Sequence, residues 1–416
     1  MAADHTLANL RVGELSESRG VRERLQWFTR EKQWINEIHV QLCRVPAPTF
    51  LEQERARWIL EQFRALGCEA SIDRVGNVLA LPSGDSKGSC VALTAHLDTV
   101  LAPRNNEEIV VDPDGRFHGP GVSDNGAGLA ALLAVARAWK TCAKLEDLRS
   151  DLLLVANVGE EGEGNLMGIR HLLKQSQFAR RIAAMVVVDG ANTDQITTRA
   201  LGSRRFEVTF TGPGGHSWND FGVANPLHAL CRAVTLLSET RLNGGPKSAI
   251  TVGLIEGGSS VNSIPHSARA KVDIRSEDAG KIEELAEILS VAVDRARDFE
   301  NQRSTGAKVA AKLKEIGSRP AGALAEGAAI LHYVRAVNAH LGIRTHLHCS
   351  STDANIPLSL GIPAVAIGAG GLGGGAHTLQ EWYQPEGRDL GLKRILLTLI
   401  LLMRDPAGGN QVSAAK

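Results

Sequence analysis

The segment Val91-Ala-Leu-Thr-Ala-His96-Leu-Asp98 runs an apolar stretch up to a histidine and, two residues on, an aspartate. In an extended chain, residues i and i+2 share a face, so His96 and Asp98 point the same way at a strand end. That suits an imidazole bound to a metal while a carboxylate holds its other nitrogen, or a His–Asp pair that moves a proton. A lone His-x-Asp step equally describes a surface pair. Four later stretches supply further parts: Asp124 in Gly119-Pro-Gly-Val-Ser-Asp124-Asn-Gly-Ala-Gly128, the adjacent Glu160 and Glu161, Asp189, and His377 after a Gly-rich run. Each has an ordinary alternative. Asp124 could cap the helix that follows, Glu160 and Glu161 could be solvated loop charges, Asp189 a turn residue, and His377 an idle surface group. Taken jointly, two imidazoles and several carboxylates with little cysteine suit zinc, cobalt or manganese. Five ligands with one carboxylate shared make two three-ligand sites, each with room for water or substrate. Of the two adjacent glutamates, one can then ligate. The other can take the proton of a water bridging two ions and hand it to a leaving amine.

The elements that must position these groups alternate in type. Helical spacing of apolar residues marks 34–43 and 51–66, with Gly67 ending the second helix, while residues up to about 31 read as a loose arm. Strands are expected at 70–81, broken at Gly76-Asn77, and at 91–97, 151–158 and 181–188, with helices over 129–139 and 166–175 between them. A hairpin over 108–118 turns at Asp112-Pro-Asp-Gly115. Alternating strands and helices give an α/β fold, a mostly parallel sheet covered by helices on both faces. The acidic and histidine groups follow strand C-termini, where open α/β sheets place ligands. From 196 the pattern changes to strand 203–211, helix 226–240, strands 248–255 and 268–274, helix 278–299 and strand 308–316. This β-α-β-β-α-β order predicts an inserted ferredoxin-like α+β domain. The expected organisation is thus 1–195 and 318–416 as a catalytic domain and 196–317 as an insertion. After the insertion come helix 324–341, strand 345–349, helix 354–360, strand 364–368 and a buried closing helix.

The chain has 416 residues, enough for more than one core. Basic and acidic residues both number 46, which gives no electrostatic reason to expect nucleic acid or an anionic membrane as partner. Six scattered cysteines without CxxC spacing read as thiols of a reducing compartment, and a cytoplasmic location is expected. The first 20 residues carry no apolar signal-peptide core, and the apolar run 395–403 is too short to span a bilayer.

His96-Leu-Asp98, Gly121-Val-Ser-Asp124-Asn-Gly-Ala-Gly128, Glu160-Glu161-Gly162, Asp189 and His377 together resemble the co-catalytic zinc exopeptidases. That family holds peptidase T, carboxypeptidase G, aminoacylase, acetylornithine deacetylase and succinyl-diaminopimelate desuccinylase. The resemblance implies that Asp124 bridges two divalent ions, most simply zinc, with His96 and Asp189 completing one site and Glu161 and His377 the other. It implies Glu160 as general base, Asp98 as the group orienting His96, and a cis bond from Asp124 to Asn125. In the inserted domain, Gly212-Pro-Gly-Gly215-His216-Ser217 resembles the family's lid motif, whose histidine reaches the partner subunit's site and steadies an oxyanion. Glu256-Gly-Gly-Ser-Ser-Val-Asn262 resembles the lid segment whose Asn contacts substrate. Arg275 falls where the family often grips a substrate carboxylate, with a surface ion pair as the alternative. A homodimer through the lid domain is also implied.

Ser350-Ser-Thr-Asp353-Ala-Asn355 and the glycine loop before His377 look most like the peptidase T branch, although Gly159 stands where peptidase T has an aspartate. The function expected is exopeptidase cleavage of di- or tripeptides. The alternatives are an N-acyl amino acid deacylase and a catalytically silent metal- or peptide-binding protein. Glu160 argues against the silent form, since a binder needs no base. Gly368-Ala-Gly370-Gly-Leu-Gly373 spells a dinucleotide fingerprint, but no helix opens after it and no βαβ unit precedes it.

Overall fold

A computed structural model describes residues 11–84, 88–242 and 244–405. The chain forms two compact units, one built from the residues up to Ala200 and from Ala323 onward, the other from Leu201 to Gly322.

From Arg19 the first unit runs through helices α1 (Arg19–Arg30), α2 (Lys32–Cys43) and α3 (Gln53–Ala65), then strands β1 (Glu69–Ile72), β2 (Val78–Leu81) and β3 (Cys90–His96). The hairpin β4 (Val110–Val111) and β5 (Phe117–His118) precedes α4 (Gly126–Thr141), β6 (Asp151–Asn157), α5 (Met167–Lys174), β7 (Ile182–Val188) and β8 (Gln195–Ala200). Its sheet order continues the parallel core β6-β3-β7-β17, where β17 is Ala364–Ile367, with β1 and β2 antiparallel at one edge. Every residue of β3 is buried, and the pleat divides the strand between two cores. Val91, Leu93 and Ala95 pack with α4 and the C-terminal helix α10 (Arg388–Arg404), while Cys90 and Ala92 pack with α5. A sheet covered on both faces needs such continuous apolar strands.

Two expectations are corrected here. The stretch before residue 31 is no loose arm: α1 buries Val21, Trp27 and Phe28. Arg24 joins them in the core because its guanidinium donates to the carbonyls of Gly20, Ala143 and Trp139, so polar residue types hide a packed helix. Residues 196–200 belong to the central sheet as β8, with Ile196 opposite Ile367 and Thr197 opposite Ala366, so the insertion starts at Leu201.

The second unit holds β9 (Gly202–Thr211), the short β10 (Gly215–His216), α6 (Pro226–Ser238), β11 (Ser248–Gly257), β12 (Ser263–Ile264), β13 (Ser267–Ser276), α7 (Ala279–Arg303) and β14 (Ala310–Arg319). The antiparallel order β11-β13-β9-β14 with two helices on one face is the ferredoxin-like arrangement. After β15 (Gly322–Ala323) the first unit resumes with α8 (Ala329–Leu341), β16 (His346–Ser350), α9 (Asn355–Ser359) and β17. Then β18 (Leu372–Gly374) and β19 (Trp382–Gln384) form a hairpin that joins β5 and β4 in a small separate sheet. Strands of three residues are too short to show a period, so the sequence pattern does not predict this hairpin.

Candidate dinuclear metal centre

Strand β3 lies between β6 and β7 and runs parallel to both, with His96 opposite Asn157. The three strands therefore end together, and the residues just past them converge. The groups His96/Asp124/Asp189 and Asp124/Glu161/His377 each place three ligand atoms within 4.8 Å of one another, as do His96/Glu160/Glu161. Asp124 is the member the first two share. Its Oδ1 lies 3.1 Å from His96 Nε2 and its Oδ2 3.2 Å from His377 Nε2, while His377 Nε2 is 2.8 Å from Glu161 Oε1. One carboxylate thus turns an oxygen toward each imidazole. Separations near 3.2 Å are those between ligands around a tetrahedral ion with bonds of about 2.0–2.1 Å, so the donors fit two zinc-like ions by kind and by spacing.

Two of the ordinary alternatives do not hold. Asp124 does not cap α4; Asn125 does, accepting the Gly128 amide at 3.1 Å and donating to the Val188 carbonyl. A side chain at Gly128 would place its Cβ 2.2 Å from Asn125 Oδ1, so this cap requires glycine there. The Asp124–Asn125 bond is cis. Glu160 and Glu161 are 5% and 7% exposed, not solvated. His377 sits in the β18–β19 turn with φ +63° and remains half exposed.

Asp98 acts differently from expectation. The contact to His96 Nδ1 is its backbone carbonyl, at 2.9 Å, while its carboxylate is 3.6 Å away. A carbonyl only accepts, so in the neutral ring Nδ1 carries the hydrogen and Nε2 is free to ligate. The Asp98 carboxylate instead accepts the amides of Glu160 and Glu161, both at 2.9 Å, and the Thr49 hydroxyl.

Sequence reading misses Glu381, which has no motif signal. It is 3% exposed and accepts the amides of Gly121, Ser123 and Asp124 at 2.7, 2.8 and 2.8 Å, fixing the loop that carries the shared aspartate. It also misses Glu52, which accepts the Gly159 amide at 3.1 Å. Asp353, which in sequence is only part of a branch motif, accepts from the Asn157 amide group at 2.7 Å.

Too many buried carboxylates share this space for the cations present. Burial pushes the Glu161 carboxyl up to about 7 and Asp353 up to about 7. Burial and the charge of Asp124 hold Asp189 well above its ordinary value. Burial works against a charged His96, yet Asp124 and Asp98 outweigh it and raise its pKa well above the usual range. The bond to Asp124 lifts His377 to about 9. Burial would raise Asp124 as well, but the two imidazoles hold it below the usual carboxylate range. Divalent cations would resolve this excess of negative charge.

The remaining predicted site residues lie in the second unit. There His216 and Asn262 come together: β10 pairs with β12, and the Ser217 amide donates to the Asn262 carbonyl at 3.0 Å. Arg275 sits far along β13, paired to Asp273 at 2.6 Å. Eight residues of extended chain, about 27 Å, separate it from the His216 end.

Residues 92–399 match the family described as Peptidase family M20/M25/M40. The chain is 26% identical over 243 residues to a succinyl-diaminopimelate desuccinylase of Corynebacterium glutamicum, covering 56% of this chain and 64% of that protein. It is 31% identical over 233 residues to a probable carboxypeptidase of Aspergillus terreus, covering 52% and 51%. The matches thus span half to just under two thirds of these relatives' length. Among solved structures, a tripeptidase of Staphylococcus aureus superposes with a TM-score of 0.72 at 20% identity, covering 90% of this chain and 99% of that one. The dipeptidase Dug1p of Saccharomyces cerevisiae gives 0.72 at 16%, covering 95% and 100%. A dinuclear metal binding peptidase of Bacillus subtilis gives 0.64 at 16%, covering 90% and 99%. At these identities the structures show a common fold. With more than half of its length matched by one family, the chain belongs to peptidase family M20/M25/M40.

Proposed function

We propose that this chain is a metal-dependent hydrolase that cleaves the amide bond of a small peptide, acting as a di- or tripeptide exopeptidase. The observation that carries this reading is the pair of ligand triads sharing Asp124, with Glu160 beside them as a carboxylate neither triad requires. His96 and Asp189 would hold one divalent ion, Glu161 and His377 the other, and Asp124 both. Ions bound there supply a Lewis acid for the substrate carbonyl and ease the ionisation of water. Glu160 is the base: it takes the proton of the attacking water and passes it to the leaving nitrogen. Asp98 holds Glu160 and Glu161 by their amides, and its carbonyl holds His96 in the ligating tautomer.

A second reading, N-acyl amino acid deacylation, is favoured by the relatives named as desuccinylases. The solved tripeptidase and dipeptidase, which cover nearly the whole chain, favour peptide cleavage. We read the enzyme as a homodimer through the second unit. All six cysteines are free thiols, which supports a cytoplasmic location, and among the described residues no helix is long and apolar enough to cross a membrane.

The test compares a tripeptide with its N-acetylated form and with N-acyl amino acids, with and without chelator, in wild type and Glu160→Gln. Cleavage restricted to the free tripeptide supports the exopeptidase. Cleavage of only the acylated substrates supports the deacylase. If chelator and Glu160→Gln leave every rate unchanged, the hydrolase reading fails.

A further inference from the structure

The sheet bonds that align β3 and β6 end with the Leu97 amide donating to the Asn157 carbonyl at 2.7 Å. Beyond that rung something else must set where Glu160 points. Helix α3 lies at this place. Glu52, the residue before its first turn, is 4% exposed and makes no capping bond to its own helix. Its carboxylate reaches out of the helix instead and accepts the Gly159 amide at 3.1 Å. Three residues on, on the same helical face, the fully buried Arg55 donates to the Leu97 carbonyl between His96 and Asp98, and to the Val45 carbonyl, both at 2.8 Å. One helix end therefore grips the loop after β3 through Arg55 and the loop after β6 through Glu52.

Gly159 is where that grip has leverage. Its own amide is held by Glu52, and the next amide, that of Glu160, is held by Asp98 at 2.9 Å. Both peptide groups flanking its Cα are fixed, so its two backbone torsions are fixed as well. Its φ is +65°, and a Cβ there would stand 2.5 Å from Met167 Cγ. The residue thus has the freedom of glycine in solution but is clamped from both sides, and the torsions at Gly159 set the direction in which the Glu160 side chain leaves the backbone.

We propose that Glu52 is a positioning residue for the reaction, aiming the Glu160 carboxylate through the Gly159 amide. The proposal rests on the reading of Glu160 as general base. Misplacing a reacting group by about 1 Å costs about 100-fold in rate, so Glu52→Ala should lower kcat roughly 10- to 100-fold, with KM unchanged and metal content full. Glu52→Gln keeps an acceptor oxygen for the Gly159 amide and should recover most of that loss.

Steady-state kinetics and metal analysis of Glu52→Ala, Glu52→Gln, Glu52→Asp and Glu160→Gln on one hydrolysed substrate test this. Support is a fall in kcat for Glu52→Ala, at constant KM and metal content, with recovery in Glu52→Gln. If Glu160→Gln is inactive while Glu52→Ala equals wild type, the positioning role is wrong and the hydrolase reading stands. A wild-type rate in Glu160→Gln overturns both. Loss of metal instead of kcat, or equal losses in the Ala and Gln variants, also overturns the proposal. Should Glu52→Ala fail to fold, Glu52→Asp, whose shorter reach draws the oxygen off the amide, takes its place with the same criteria.

Discussion

Replacing Glu381 tests whether the ligand geometry depends on a residue that touches no substrate. Its carboxylate accepts three amides of the loop carrying Asp124, those of Gly121, Ser123 and Asp124, and it is almost completely buried. A buried N–H left without a partner costs about 1–3 kcal/mol. Three of them give a range centred near 6 kcal/mol, and water entering the space of the lost side chain brings Glu381→Ala to about 4 kcal/mol. Glu381→Gln behaves differently. Its oxygen can still serve the Ser123 and Asp124 amides, both held by Oε1, but its NH2 faces the Gly121 donor, leaving a cost of about 2 kcal/mol. At about 2–4 °C per kcal/mol, calorimetry of the metal-free protein should show Tm lower by roughly 10 °C in Glu381→Ala and by about half that in Glu381→Gln. Because Asp124 moves with its loop, zinc titration should show weaker binding in the same order. Wild-type Tm and zinc affinity in Glu381→Ala would show that this carboxylate does not hold the Asp124 loop.

Metal binding should release protons and tighten as pH rises from about 7 toward 9, because His377, raised to about 9, must lose its proton to ligate; calorimetric titration in buffers of different ionisation enthalpy measures the release. Without metal, the folded state binds more protons than the unfolded one through Glu161, raised from 4.5 to about 7, and His377, raised from 6.5 to about 9. Stability contributed by these protons is present below the unfolded values and lost as pH rises through the folded ones. Thermal scans of the metal-free protein should therefore show Tm falling between about pH 5 and 9, and flat scans would contradict the shifts. His377→Ala removes one of the groups whose raised pKa supplies that stability, so the fall of Tm with pH in the metal-free protein should flatten above about pH 7, while metal content drops by one ion per chain, read by elemental analysis.

The parts of this protein written in side-chain pattern are legible in the sequence. Continuous apolar runs such as 152–156 announce strands buried on both faces, and ligand types placed just past them announce the site. Parts that depend on backbone donors are not legible there. Asp98 follows His96 at strand spacing and so suggests a carboxylate–imidazole bond, yet its carboxylate turns to the amides of Glu160 and Glu161, which no periodicity records. Glu381 is invisible for the same reason: its partners are peptide groups more than 250 residues away. Helix α1 is hidden because Arg24 reads as a surface residue, although carbonyls satisfy it in the core. The hairpin that carries His377 is hidden because its three-residue strands join sheet partners distant in sequence.

Anomalous scattering at the zinc edge from zinc-soaked crystals reads the two triads sharing Asp124 without any assay. Two peaks about 3.5–4 Å apart are expected, one against His96 and Asp189, the other against Glu161 and His377, with Asp124 between them. A single peak, or zinc bound away from Asp124, would contradict that arrangement.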